Sequence, residues 1–256
     1  MIDVNAYLGH FAFRQLRYNT AASLLRLMDR AGIEKAVVSS AAAITYRNAQ
    51  AGNEEVFEQV KNHRDRLIPF AVLNSAYAGC LDDLKICREE FGVRGLRLYP
   101  NWHAYKLSSA RCLDLVNAAA ELRLPLSFPF RVEDRRQQSW LVDIPDVTHR
   151  DAAALARAVP NARFIFGNGS GFAASELGRP AGAPANYWIE ISLLTALLTN
   201  EIGQLLQSLG PDRILFGSGM PFHYPESAVA KLEVLDAPAP VKQKIARANA
   251  LALLGL

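Results

Sequence analysis

A chain of 256 residues, half of them hydrophobic, can bury a full core and falls within the size range of one α/β barrel. Its 28 basic and 25 acidic residues nearly balance and form no long run of one sign, which argues against nucleic acid or a membrane surface as partner. The 3 cysteines form no C-x-x-C pair, which argues against a disulfide framework or zinc knuckle, and Cys80 and Cys87 read as small buried apolar groups in a helical pattern. No basic segment followed by an apolar one opens the sequence, so the expectation is a cytoplasmic protein.

The first predicted element is a strand over residues 2–8 (IDVNAYL), followed by a helix over 21–31 with Leu24, Leu25, Leu27 and Met28 on one side. Strands over 35–39, 67–73 and 93–99 lead in turn to helices over 53–62, 79–91 and 109–122. The fifth strand, 124–128, is followed by a long loop, 131–147 (RVEDRRQQSWLVDIPDV), and a helix over 151–159. The sixth, 163–166, reaches the seventh, 187–191, past a glycine- and proline-rich loop at 178–185. A helix over 195–209, the eighth strand at 213–216 and helices over 226–235 and 241–254 complete the chain. Strands and helices alternating at roughly 25 to 35 residues per unit predict parallel βαβ units closed into one (β/α)8 TIM-type barrel domain over 1–256. An open doubly wound sheet is the alternative, but VNAYLGHF after the first strand is not a glycine-rich phosphate turn.

Inward-pointing residues near the C-terminal strand ends of a barrel face its site. Alternation selects Asn5 and Tyr7 on the first strand, and Arg97 and Tyr99 on the fourth. It then selects Pro129, with Arg131 just beyond, on the fifth, Asn168 on the sixth, Glu190 and Ser192 on the seventh, and Ser218 and Gly219 on the eighth. DVNAYLG resembles the Asp-Val-His-x-His-Leu-Gly opening of the amidohydrolase superfamily. FGVRGLRLYP, NARFIFGNGSG and DRILFGSGMPF resemble its fourth, sixth and eighth strands. With RLMDRAGIEKAVV, LPLSF and the stretch 53–73 in the matching order, the chain resembles the amidohydrolase-related group. That group includes aminocarboxymuconate decarboxylase-like enzymes and lactone hydrolases.

The resemblance implies a barrel that binds one or two divalent metals. Their ligands would be two histidines on strand one, one each on strands five and six, and an aspartate on strand eight. The matching positions here are Asn5, Tyr7, Pro129, Asn168 and Gly219, which supply neither imidazole nor carboxylate. The expectation is therefore no metal and no other cofactor. His10, His103 and His223 follow strands one, four and eight, and leave open a site rebuilt from loop histidines.

The functional expectation is a hydrolase or decarboxylase-type lyase acting without a transition metal on a small anionic, carboxylate-bearing substrate. Arg97 would anchor the anion, and Tyr7 or Tyr99 would donate a proton. Glu190 or His223 would act as base, and Asn5, Arg131, Asn168 and Ser218 would bind substrate. Each has a bland counterpart: an Arg97–Glu190 structural ion pair, tyrosines as filler, Arg131 as a solvated loop residue, and residues 168–171 as an inherited turn. The other functional class is a catalytically silent barrel that binds a metabolite or a protein. A homodimer stays open, since no exposed stripe demands one.

Overall fold

In a computed structural model, which describes residues 1–179 and 185–256, the chain alternates strands and helices. The order is β1 (Ile2–Leu8), α1 (Ala21–Arg30), β2 (Lys35–Ser40), α2 (Ala49–Val60), β3 (Leu67–Val72), α3 (Cys80–Glu89), β4 (Gly95–Arg97) and α4 (Ala110–Glu121). There follow β5 (Leu126–Pro129), α5 (His149–Ala158), β6 (Phe164–Gly167), β7 (Tyr187–Glu190), α6 (Glu201–Leu209), β8 (Ile214–Leu215), α7 (Pro225–Val234), α8 (Ala239–Gln243) and α9 (Asn249–Leu254). The expected loop at 178–185 lies mostly outside the described residues.

The eight strands pair in parallel in sequence order, which is the (β/α)8 arrangement expected from the sequence. Closure between β8 and β1 runs through backbone bonds from Val4 N to Phe216 O (3.0 Å), Gly219 N to Asn5 O (2.8 Å) and Tyr7 N to Met220 O (2.9 Å). β1 carries an irregularity against β2, where Asp3 pairs with Ala36 but Ala6 with Val38. One extra residue in β1 re-aims its side chains, which places Asn5 and Tyr7 inside the barrel.

Local chemistry sets the helix starts. Thr20 caps α1 by accepting from Ser23 N, and Asn48 starts α2 at residue 49, earlier than its hydrophobic periodicity suggests. Asn200, at φ 44°, caps Gly203 N and delays α6 to residue 201.

Apolar packing forms three bodies. One fills the space between sheet and helices, and a second plugs the barrel floor, where Ala250, Leu253 and Leu254 of α9 meet Ile2, Val37, Phe70 and Leu215. The third is an aromatic cap over the strand ends, in which Tyr7, Phe11, Tyr99 and Phe222 pack with Trp102. Tyr7 and Phe11 both stack edge-on to Phe222, with ring centroids 4.9 and 5.0 Å away. Cys80, Cys87 and Cys112 are free and buried, as a small apolar role requires. No helix among the described residues is long and apolar enough to cross a membrane.

Candidate active site

The cap divides the predicted site residues into two groups. Beneath it lie Arg97, Tyr7, Tyr99, Asn5, Asn168 and Glu190, all buried. Above it, a groove of about 1290 Å³ runs between the β1–α1 loop, the β7–α6 loop and α7. Ser192, Ser218, His223 and Lys231 are among its lining residues.

The buried group forms one hydrogen-bonded lattice. Glu190 accepts from Asn168 N (2.6 Å), Ser192 N and Ser192 Oγ (both 2.7 Å) and, at 3.3 Å, from Asn5 Nδ2. Asn168 Oδ1 accepts from Asn5 Nδ2 (2.7 Å) and Ser192 Oγ (3.0 Å), while its Nδ2 donates to Tyr7 Oη (3.1 Å). Gly167 and Gly217 make room for the carboxylate, since a Cβ built on either would lie 2.4 or 2.3 Å from a Glu190 oxygen.

Arg97 is neither an exposed anion anchor nor the partner of Glu190. Its guanidinium donates to the carbonyls of Val4 (3.0 Å) and Ala6 (2.9 Å) and to Ser39 Oγ (2.9 Å), and sits 4.7 Å from the centre of the Tyr7 ring. The carbonyls it engages flank the β1 irregularity, so its charge stitches the distorted strand. The charge of Arg97 favours ionisation of the neighbouring phenols, but burial outweighs it. Burial pushes Tyr7 up and Tyr99 well above the usual tyrosine value, so both stay protonated and sealed from the groove. Arg131 is a loop residue paired with Asp146 (2.9 Å), and Arg135 reaches the same carboxylate (3.2 Å) while Arg136 binds Asp134 (2.6 Å). The three arginines of this loop are thereby largely neutralised by the loop's own carboxylates.

Three predicted residues reach the groove: Ser192, whose hydroxyl is tied to Glu190 and Asn168, Ser218 and His223. Ser218 donates through Oγ to Asp3, a fully buried carboxyl that also accepts from Asn5 N (2.8 Å) and Ser218 N (3.0 Å). His223 lies over Gly219, where a Cβ would come within 2.6 Å of its Cδ2. The imidazole thus occupies the room that the family's strand-eight aspartate would need. Gly219 also has φ +74°, a left-handed conformation that strains other residues. Gly219→Asp is therefore expected to lower stability by about 2–4 kcal/mol rather than restore a ligand, which urea unfolding measures. An unchanged midpoint would show that the ring moves aside freely.

The three loop histidines do not converge. His10 is exposed beside Asn19, and His103 is held by the Ala43 carbonyl at 3.1 Å. Only His223 lines the groove. Desolvation, with the positive charges of Arg14, Lys231 and Arg131 adding to it, pushes His223 down to about 4, so the ring is neutral at neutral pH.

Asp3 shifts the other way, up to about 7, chiefly by burial. Its folded value lies above its unfolded one, so its contribution to stability declines as pH rises towards 7. The depressed value of His223 makes stability rise with pH between about 4 and 6.5. Over that range the two oppose, each by at most about 1.4 kcal/mol per pH unit. Asp3→Asn should unmask the histidine: the variant's stability should climb more steeply from pH 4 to 6.5 than the parent's. Parallel curves from urea unfolding across pH would contradict both assignments.

Lys231 was not singled out from the sequence. It lies on α7, half-buried, and its ammonium donates to the carbonyls of Ser192 and, at 3.4 Å, Ile191 at the end of β7. Desolvation lowers its pKa, with Glu190 opposing. The available signal was its place three residues after Ala228 and one before Leu232, both on the buried side of the helix. Arg14 completes the groove's polar rim, held by Glu133 (3.2 Å), Gln137 (2.7 Å) and the Phe222 carbonyl (2.8 Å). Leu16, Leu194 and Phe222 supply apolar wall.

A search of solved structures finds the same fold in several decarboxylases. A 2,6-dihydroxybenzoate decarboxylase complexed with 2,6-dihydroxybenzoate is 20% identical, with a TM-score of 0.71 over 91% of this chain and 87% of that one. A dihydroxybenzoic acid decarboxylase from Polaromonas sp., with bound manganese and the inhibitor 2-nitroresorcinol, is 20% identical, with a TM-score of 0.70 over 91% and 85%. A 5-carboxyvanillate decarboxylase from Novosphingobium aromaticivorans, complexed with manganese and 4-hydroxy-3-methoxy-5-nitrobenzoic acid, is 15% identical, with a TM-score of 0.71 over 91% and 79%. No curated protein matches the chain.

The expectation that this chain works with no metal and no other cofactor is contradicted by these structures, in which decarboxylases of the same fold hold manganese. The side chains at the five ligand positions here are arranged differently. The Asn5 amide N–H groups fill the space between Asn168 Oδ1 and Glu190 Oε1. Among the described residues no three His, Cys, Asp or Glu side chains gather to hold an ion. That donor set does not fit a metal centre at those positions. The barrel, its strand-end geometry and an amidohydrolase family model matching residues 12–256 together place the chain: it belongs to the amidohydrolase family.

Proposed function

We propose that this protein is a lyase that removes carbon dioxide from a small carboxylate-bearing substrate held in the groove beside α7. One observation carries the reading: a single cleft at the C-terminal ends of β7 and β8 brings the Lys231 ammonium, a neutral His223 and an apolar wall together. A shared fold with decarboxylases supports the reaction class. The alternative of a catalytically silent barrel gains no support from those neighbours.

The chemistry follows from the residues. Lys231 meets the carboxylate as a point charge, and Leu16, Leu194 and Phe222 surround it with apolar surface, which favours the neutral product over the anion. With its pKa lowered, Lys231 gives up a proton more readily than a solvated lysine. Transfer of that proton to the carbon bearing the carboxylate, followed by cleavage of the carbon–carboxylate bond, releases carbon dioxide. The bond's electron pair stays on the substrate carbon, and the neutral amine then recovers a proton from water. The unpartnered Nε2 of His223 is available to accept a hydrogen bond from a substrate hydroxyl.

The test is carbon dioxide release from a panel of small aromatic and aliphatic carboxylic acids. Turnover of at least one, inhibited by a non-reacting nitro analogue, is the expected result. Saturable binding of several acids with no carbon dioxide from any would overturn the lyase reading.

A further inference from the structure

We propose that the groove accepts acids carrying an extended apolar tail, which lies along α7 while the carboxylate meets Lys231. The inference rests on the reading of Lys231 as the carboxylate's partner and names the class of acid it serves. At about 1290 Å³ the groove exceeds the roughly 300–1,000 Å³ that holds a drug-sized ligand. A single-ring acid at Lys231 leaves much of that space empty.

The remaining space has apolar walls open to solvent. Tyr224, at the cap of α7, and then Ser227, Ala230, Lys231 and Val234 recur every three or four residues, so one face lines the groove over about 15 Å. On the opposite wall, Leu197 and Leu198 stand on the β7–α6 loop. Leu197 is 68% exposed, Leu198 97%, Tyr224 80% and Val234 51%. Large apolar side chains grouped in water around one cleft mark a binding surface. Continuity identifies the occupant. Lys231 sits within the stripe, one turn from Val234, and the apolar wall beside it at Leu194 and Phe222 runs on into Leu197 and Tyr224. A chain attached to the acid that Lys231 holds therefore lies on this face. A second anionic group is less well served, because the arginines of the groove are engaged elsewhere. Arg14 pairs with Glu133 (3.2 Å), Arg136 pairs with Asp134 (2.6 Å) and Arg30 lies over the Tyr18 ring (5.3 Å), while Arg17 is exposed.

Calorimetric titration of the full chain with benzoate, para-butylbenzoate and para-hexylbenzoate, at matched ionic strength, separates tail from head. Affinity is expected to rise about two- to threefold per added methylene, since each is partly buried. The Leu197→Asn/Val234→Asn double variant, changed only at exposed positions, should cut that rise to about half or less. It should leave benzoate within about twofold of the parent. Lys231→Met should weaken all three acids alike and keep the rise. The proposal is overturned if affinity is independent of tail length or if none of the acids saturates below about 10 mM. A rise undiminished in the double variant overturns it as well. Equal affinities together with carbon dioxide release from the acid panel would sink the tail alone and leave the lyase reading standing. A rise that Lys231→Met does not shift would support the apolar groove and sink the lyase reading. Length-independent affinity in a parent that sediments as a dimer, with a monomeric double variant, would assign this face to a second copy of the chain and overturn the proposal.

Discussion

Replacing Lys231 by methionine should lower kcat/KM for carbon dioxide release by at least about a hundredfold, the effect expected when a proton donor is removed. Stability should change by only about 1 kcal/mol, because methionine fills the same volume and the lost carbonyl bonds are offset by relieving a partly desolvated ammonium. Lys231→Arg separates the two duties of this side chain. A guanidinium still holds a carboxylate but does not release a proton in the working pH range, so KM should recover while kcat does not. Equal loss of both in Lys231→Arg would reduce Lys231 to a positioning residue.

Glu190→Gln should have a large effect of the opposite kind, on the fold rather than on the reaction. Every hydrogen bond at this carboxylate is received from a donor: Asn5, the Asn168 N–H and both the N–H and hydroxyl of Ser192. A glutamine must turn its NH2 towards at least one of them. Gly167 and Gly217, already closed on the carboxylate, leave it no room to swing away. The expected loss is about 2–3 kcal/mol in urea unfolding. The folded fraction should keep its kcat within about threefold, since the carboxylate does not line the groove. A variant of parental stability that has lost turnover would restore Glu190 to the role of base.

Much of the architecture was legible because barrels write their periods plainly. Residues 2–8 are buried along their whole length, as a strand covered on both faces requires, and β1 spans the expected residues. The misjudged boundaries were set by caps rather than by periodicity, with Asn48 and Asn200 fixing where α2 and α6 begin. Alternation also placed Arg97, Tyr7 and Glu190 inside the barrel, where they are. What alternation could not convey is that inside a barrel is not the same as open to substrate. Phe11, Trp102 and Phe222 come from three separate loops, and their closure over the strand ends has no local signature. Lys231 escaped for a related reason: an amphipathic helix does not reveal that one lysine bends back to the carbonyls ending β7.

A crystal structure of the protein with a non-reacting aromatic carboxylate tests most directly whether the working site has moved to the groove. The account predicts the carboxylate within hydrogen-bonding distance of Lys231 Nζ and its ring against Phe222, with the aromatic cap intact. A ligand seated instead beneath an opened cap, on Asn5, Asn168 and Tyr99, would contradict it.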